Sequence, residues 1–275
     1  MKSLLSIWSL ASGTASVIFE TDRHIEAPNW SPCGNYLLVN GDGQLYRVPL
    51  DKPRLTPIDT GYARQLNNDH GFSPDGQHIA ISDKTETGKS CIYTLPIQGG
   101  APKRITQNTP SYWHGWSPDG QTLIYPGFRG TPAKAILLSV PAQGGQESCI
   151  CDSFDHIDGP DYTPNGQWVW FNGERDGTVE LWRCQPDGGN LQQMTDDSRI
   201  NWFPHPSPTG KDVIYLSYAE GTVGHPAEKI VQLRLINSKG GPTTLLYELF
   251  GGQGTINVPC WHPNGEKFAF MQYLR

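Results

Sequence analysis

Eight residues suited to proton transfer, hydrogen bonding or metal ligation stand at two fixed offsets from a short turn that the chain repeats six times. Five positions before the turn's Ser, Thr or His are Glu26, Asn68, Tyr112, Asp158, Trp202 and Asn257. Three positions before it, the second and third copies carry His70 and His114, where the other four carry Pro28, Pro160, Pro204 and Pro259. Side chains of a strand alternate between its faces, so the two offsets share a face and both histidines are expected to point with the ring of six. Imidazole titrates near neutrality and burial raises a carboxyl toward it. His70 or His114 would therefore serve as general base, with Glu26 or Asp158 as acid. The same two histidines, with Asp158, Asp161 and Asn68 as oxygen or amide partners, would hold a divalent ion such as manganese or calcium. Asn68, Tyr112, Trp202 and Asn257 are expected to bind ligand, the aromatic pair offering flat faces to a sugar ring. Loops elsewhere add Lys84, Arg129, Arg175 and His225. These cations suit an anionic or polyhydroxyl ligand, and a guanidinium can grip a carboxylate with two hydrogen bonds.

The turn that sets these offsets is an aromatic residue, Ser or Thr, Pro, a variable residue and Gly. It reads Trp30-Ser31-Pro32-Cys33-Gly34, Phe72-Ser73-Pro74-Asp75-Gly76, Trp116-Ser117-Pro118-Asp119-Gly120, Tyr162-Thr163-Pro164-Asn165-Gly166, Ser207-Pro208-Thr209-Gly210 and Trp261-His262-Pro263-Asn264-Gly265. The residues before each proline are spaced by 42, 44, 46, 44 and 55, the period of a four-stranded propeller blade. Proline presets φ, Asp or Asn supports the bend, and glycine takes the left-handed angle. A β run follows each turn, as in Tyr36–Val39 and Trp168–Phe171. A third strand such as Glu180–Arg183, a Gly-Gly turn and a fourth strand come next. The sixth copy has only its first two strands. Ser6–Leu10 and Val17–Phe19 read as the missing pair, so the N-terminus would close the ring and remove open sheet edges. The expectation is an all-β, six-bladed β-propeller with four antiparallel strands per blade. It forms one domain over residues 1–275, with the sixth blade shared between 1–20 and 252–275.

The composition agrees: 31 Gly, 23 Pro, 11% aromatic and only 17% charged residues in 275 suit many short strands joined by tight turns. A net charge of −6 without any Lys/Arg block argues against nucleic acid, and no segment has the length of a membrane span. The six cysteines show no C-x-x-C spacing and are expected to be small buried apolar residues of a reducing compartment. Met1–Leu10 could pass for a signal peptide, which would make the protein periplasmic. Its use as a blade strand favours a cytoplasmic protein.

The aromatic-Ser-Pro-Asp-Gly repeat resembles the WD-repeat-like propeller of the TolB family over essentially the whole chain. The resemblance is to a stand-alone TolB-related protein lacking TolB's N-terminal domain. It implies that the strand before each turn is the innermost of its blade and begins at one mouth of the central channel. The eight residues and the loop cations would then surround a single polar pocket. Related propellers occur in oligopeptidases, but no G-x-S-x-G elbow is present here, which excludes that hydrolase chemistry. They also occur in oligogalacturonate lyases, which hold a metal through histidines. Three readings follow: a module binding a small polar, sugar-like or anionic ligand; a carbohydrate-active lyase or hydrolase, metal-dependent or not; and a scaffold for a protein partner.

Overall fold

The repeated turn works through its hydroxyl. Ser73 Oγ accepts the His78 amide at 2.9 Å and donates to Asp75 Oδ1 at 2.6 Å. Ser117 with Thr122 and Asp119, and Thr163 with Trp168 and Asn165, repeat the pattern. The closing glycine is left-handed in all six copies, with φ from 67° at Gly76 to 74° at Gly34, an angle that a β-carbon disfavours. Each turn thereby folds its inner strand antiparallel onto the next: Glu26–Trp30 onto Tyr36–Gly41, Leu66–Phe72 onto His78–Asp83, Gly115–Trp116 onto Thr122–Arg129, His156–Tyr162 onto Val169–Arg175, and Ile200–Pro206 onto Asp212–Tyr218. In the sixth copy one bridge joins Trp261 to Phe268 of the strand Lys267–Leu274. The computed structural model describes all of Met1–Arg275, an all-β propeller with no helix.

Hydrogen bonding groups the strands into five sheets, not six separate ones: three of four strands, one of three and one of eight. The eight-stranded sheet consists of two antiparallel units, one within Gly115–Cys151 and one within His156–Gln193. A single parallel bridge between Ala135 and His156 fuses them. The three-stranded sheet carries the expected closure. Lys2–Ser9 runs antiparallel to Lys267–Leu274, from Lys2 opposite Leu274 to Ser9 opposite Lys267, and Thr14–Thr21 pairs on its other side.

Six apolar clusters fill the wedges between successive units. Leu5 and Met271 meet Leu37 and Val39; Leu38 and Leu45 meet Ile79 and Tyr93; Ala80 and Ile92 meet Leu123 and Tyr125. Ile124 and Leu137 meet Val169 and Phe171; Trp170 and Leu181 meet Val213 and Tyr215; Ile214 and Leu216 meet Trp8 and Phe268. The packing leaves little slack. A β-carbon added at Gly71 would overlap the ring of Trp113, which is 1% exposed. Gly71→Ala should therefore cost about 1–3 kcal/mol by overpacking. That loss reads as a lower urea midpoint at unchanged slope, and an unshifted midpoint would mean that the ring can step aside.

The inner strands do not alternate regularly. Register slips between Glu26 and Asn29, Leu66 and His70, Asp158 and Asp161, and Trp202 and His205. Three of the bulges place a left-handed residue directly after the ring position: Ala27, Gly159 and Phe203, at φ 54°, 57° and 54°. An extra residue flips the parity of everything after it. The positions two residues beyond the ring therefore need not face the same way as the ring, which corrects the expectation that set His70 beside His114.

Of the six cysteines expected to be buried, Cys91, Cys151, Cys184 and Cys260 are; Cys33 and Cys149 are exposed, and no cysteine is in a disulfide. No helix is long and apolar enough to cross a membrane.

Candidate functional site

Side chains from five of the successive units line a cavity of about 340 Å³, among them Asn68, Asp69, Tyr112, His114, Asp158 and Asn257. Its volume lies within the range of small-molecule pockets, roughly 300–1,000 Å³. Asp158 organises it. The bulge turns the Gly159 amide back onto Asp158 Oδ1 at 2.8 Å. His114 Nε2 lies 3.0 Å from that same oxygen, while His225 Nε2 and His156 Nε2 lie 3.5 and 3.9 Å from Oδ2. One carboxylate is thus faced by three imidazoles.

The protonation states follow from this geometry. Burial opposes the charge on Asp158, but the close contact with His114 and the nearby imidazoles of His156 and His225 outweigh it, so its pKa falls well below the usual carboxylate range. Burial likewise opposes charging His114, yet Asp158, Asp69 and Asp161 leave its pKa raised; His156 is raised against burial by Asp158 and Glu174. His225 goes the other way, because burial and the neighbouring His156 and His114 outweigh Asp158. A second carboxyl, Asp69, points Oδ1 at His114 Nε2 from 3.7 Å and accepts from Asn67 Nδ2 on Oδ2 at 2.6 Å. Burial pushes it up to about 7, with His114 opposing and Asp158 adding to the rise. The cavity therefore holds one ionised carboxylate and one carboxyl poised near neutrality. That division of roles suits both ligand recognition and proton transfer.

Of the residues expected to converge, Asn68, Tyr112, His114, Asp158 and Asn257 do so. Glu26 stands behind the wall, accepting from Asn40 Nδ2 at 3.4 Å and facing His24 Nε2 at 3.3 Å. Trp202 is 1% exposed and backs His225, with ring centroids 4.4 Å apart. His70 corrects the catalytic and metal expectations. It is fully buried outside the cavity, neither ring nitrogen makes a hydrogen bond, and burial drives its pKa down to about 3, partly offset by the Leu38 and Ala27 carbonyls. No group of three or more His, Cys, Asp or Glu side chains is placed to hold a metal ion.

Of the four expected loop cations His225 lines the cavity, and two are diverted. Arg129 grips Glu147 through Nε and Nη2, both at 2.7 Å, and caps the Pro110 carbonyl. Arg175 lies over the Phe154 and Trp182 rings, 4.6 and 5.3 Å from their centroids. Lys84 lines an adjoining cavity.

Asp69 was not among the expected residues, because alternation assigned it to the opposite face. The visible signal was the run Asn67-Asn68-Asp69-His70, four consecutive polar residues where a strand should alternate. His205, by contrast, has a structural role. Its Nε2 donates to the Ile256 carbonyl at 2.7 Å, so Nδ1, 3.1 Å from Asp161 Oδ2, needs one further proton shared with that carboxyl. The buried pair pins the fifth unit to its neighbours.

No protein-family model matches the chain. An uncharacterized protein of Agrobacterium fabrum is 44% identical over all 275 residues, which cover 93% of its length. A solved structure of a candidate TolB from Agrobacterium tumefaciens superposes with TM-score 0.97 at 44% identity, covering 100% of this chain and 99% of that one. The Tol-Pal system protein TolB of Francisella tularensis is 26% identical over 90% of this chain, which spans 56% of the TolB length. The TolB structure from Acinetobacter baumannii shares the fold, with TM-score 0.70 at 16% identity over 92% of this chain and 64% of that one. The repeated turns, the propeller they build and these relatives lead to one conclusion: the chain belongs to the TolB-like propeller family.

Proposed function

We propose that the chain is a six-bladed propeller, its last blade shared between residues 1–20 and 252–275, and that its axial cavity binds a small polar, sugar-like ligand. The six wedge-filling clusters support the blade count. One observation carries the binding reading: amide, carboxyl and imidazole groups from successive units converge on a concavity around the Asp158 carboxylate. Such convergence of a few polar groups is the signature of a ligand site. Asp158, its pKa lowered, supplies an acceptor inside the cavity, and His114 and His156, their pKa values raised by it, supply donors. That favours a neutral polyhydroxyl group over an anion there. Hydroxyls can accept from the imidazoles and donate to the carboxylate, and Tyr112 and Phe128 supply ring faces.

Calorimetric titration with glucose, galactose and N-acetylglucosamine tests the reading. Saturable binding of at least one sugar is expected. Asp158→Asn should weaken it by about 10- to 100-fold, the worth of a charged hydrogen bond of roughly 1.5–3 kcal/mol. Arg175→Gln should leave it unchanged. Absence of saturable heat with all three sugars, or an unchanged affinity in Asp158→Asn, would overturn the proposal in favour of a scaffold that engages a protein partner.

A carbohydrate lyase or hydrolase is the second reading, favoured by the carboxyls Asp69 and Asp158 flanking one imidazole in opposite protonation states. It predicts unsaturated product or new reducing ends from oligosaccharides, lost in Asp69→Asn. The six cysteines free of disulfides support a cytoplasmic location over a periplasmic one, which fractionation would test.

A further inference from the structure

We propose that the sugar-binding cavity continues into a second, cationic compartment, and that the ligand carries a compact oxyanion, carboxylate or phosphate, which binds there. This rests on the binding function proposed for the cavity and deepens it by naming the charged half of the ligand.

A cavity of about 390 Å³ adjoins the first one. Asn67 and Tyr112 line both, so one wall is shared. Its rim carries Lys84 and Lys89. The hydrogen bonds these residues make run through the main chain: Lys84 N–H to the Gln65 carbonyl, Lys89 N–H to Thr87 Oγ1, and the Lys89 carbonyl accepting from Thr87. Both ammonium groups are therefore free, although the chain as a whole is acidic.

Nearby carboxylates do not pair with them. Asp83 is occupied by the Gln65 and Thr85 amides and by the Thr85 hydroxyl. Glu86 accepts from the Tyr93 hydroxyl at 2.8 Å and faces Arg104 at 3.9 Å.

A second observation does not depend on charge. Ser90 lines the same compartment, is 8% exposed, and its hydroxyl is buried without any partner. A buried hydroxyl left unsatisfied costs about 1–3 kcal/mol. An oxyanion seated between the two lysines would accept from it. The two compartments then divide the ligand between them: a cup of mixed donors and acceptors for hydroxyls, with a positive arm for one anionic substituent.

Inorganic phosphate is the first probe, titrated at low ionic strength and followed through amide chemical shifts, with acetate as a parallel arm. Saturable shifts are expected at Gln65, Asn67, Lys89 and Ser90, weakened at least tenfold in Lys84→Gln/Lys89→Gln and reduced by added salt. The stronger of the two anions identifies the substituent. Asp158→Asn should leave these shifts intact, which separates the arm from the cup. No saturable shift with either anion, or an unchanged affinity in the double variant, would overturn the compartment even where neutral sugars still bind. The second probe is glucose 6-phosphate beside glucose. At least tenfold tighter binding of the phosphate ester, abolished in the double variant while glucose itself is unaffected, is the expected result. Equal affinity of the two would overturn the continuity of the compartments. Loss of glucose binding alone would count against the cup.

Discussion

Removing Met1–Thr21 is expected to abolish cooperative folding, with the truncated protein recovered as aggregate or as a chain with no thermal transition. Lys2–Ser9 supplies the long, regular partner of Lys267–Leu274, whose other side is held by the bridge from Phe268 to Trp261 and by scattered main-chain bonds to His262, Cys260 and Thr255. Without it an apolar strand is left as an open edge, a template for intermolecular pairing. The loss also reaches two wedges. Leu5 leaves the cluster with Leu37 and Val39, and Trp8 leaves the one with Ile214 and Phe268. Leu4, Leu5 and Trp8 are each at most 7% exposed. At about 1.5–3 kcal/mol per large buried side chain, the three contribute roughly 5–9 kcal/mol, comparable to the whole stability of an ordinary domain at about 5–15 kcal/mol. Leu5→Ala alone, at about 2–5 kcal/mol, should remain folded and melt earlier. Circular-dichroism melts and gel filtration of both variants decide the matter. A truncated protein that elutes as a compact monomer and melts within a few degrees of the full chain would show that closure is dispensable.

That closure was legible in the sequence because it needed only a count: four strands per repeat, two absent at one end and two present at the other. The turns were legible for a similar reason, since Ser73, Pro74, Asp75 and Gly76 each do a local job that needs no distant partner. The site was legible only in part. Asp158, His114, Asn68, Tyr112 and Asn257 stand at or before the bulge, or in the irregular third and sixth inner strands, where alternation plays no part in fixing them. His70 and Asp69 lie beside a register slip that only the unbroken polar run Asn67–His70 announces, and their faces came out exchanged. Arg129 and Arg175 were lost for another reason. Glu147, Phe154 and Trp182, which capture them, come from elsewhere in the chain, and a loop cation looks free until its partner is in place. The fusion of two units into one sheet depends on a single bridge at His156, below the resolution of any repeat.

Asp69 should set the pH dependence of stability on the near-neutral side. Its carboxyl titrates at about 7 in the fold against about 3.9 in an unfolded chain. Between those values the folded protein holds the extra proton, so stability falls as pH rises from about 4 to about 7 and stays low above it. His114 and His156 act in the same direction at higher pH: both are raised, and the stability they add is full below the unfolded imidazole value of about 6.5 and lost above it. Asp158 acts oppositely, and because its folded pKa is depressed its contribution fades only below about pH 4. Asp69→Asn removes the first of these effects and the part of the His114 rise that Asp69 causes. Relative to wild type, the variant should gain about 2–4 kcal/mol on going from pH 4.5 to pH 8, a range set by sharing the shift with His114. Urea unfolding at pH 4.5, 6, 7 and 8 measures it. Parallel profiles for the two proteins would mean that Asp69 is ionised throughout. It could then not donate the proton that a ligand hydroxyl or a leaving group would need, and the carbohydrate-cleaving reading would lose its acid. A converging profile would instead leave in the cavity an acid able to act at neutral pH, beside a carboxylate that three imidazoles keep ionised.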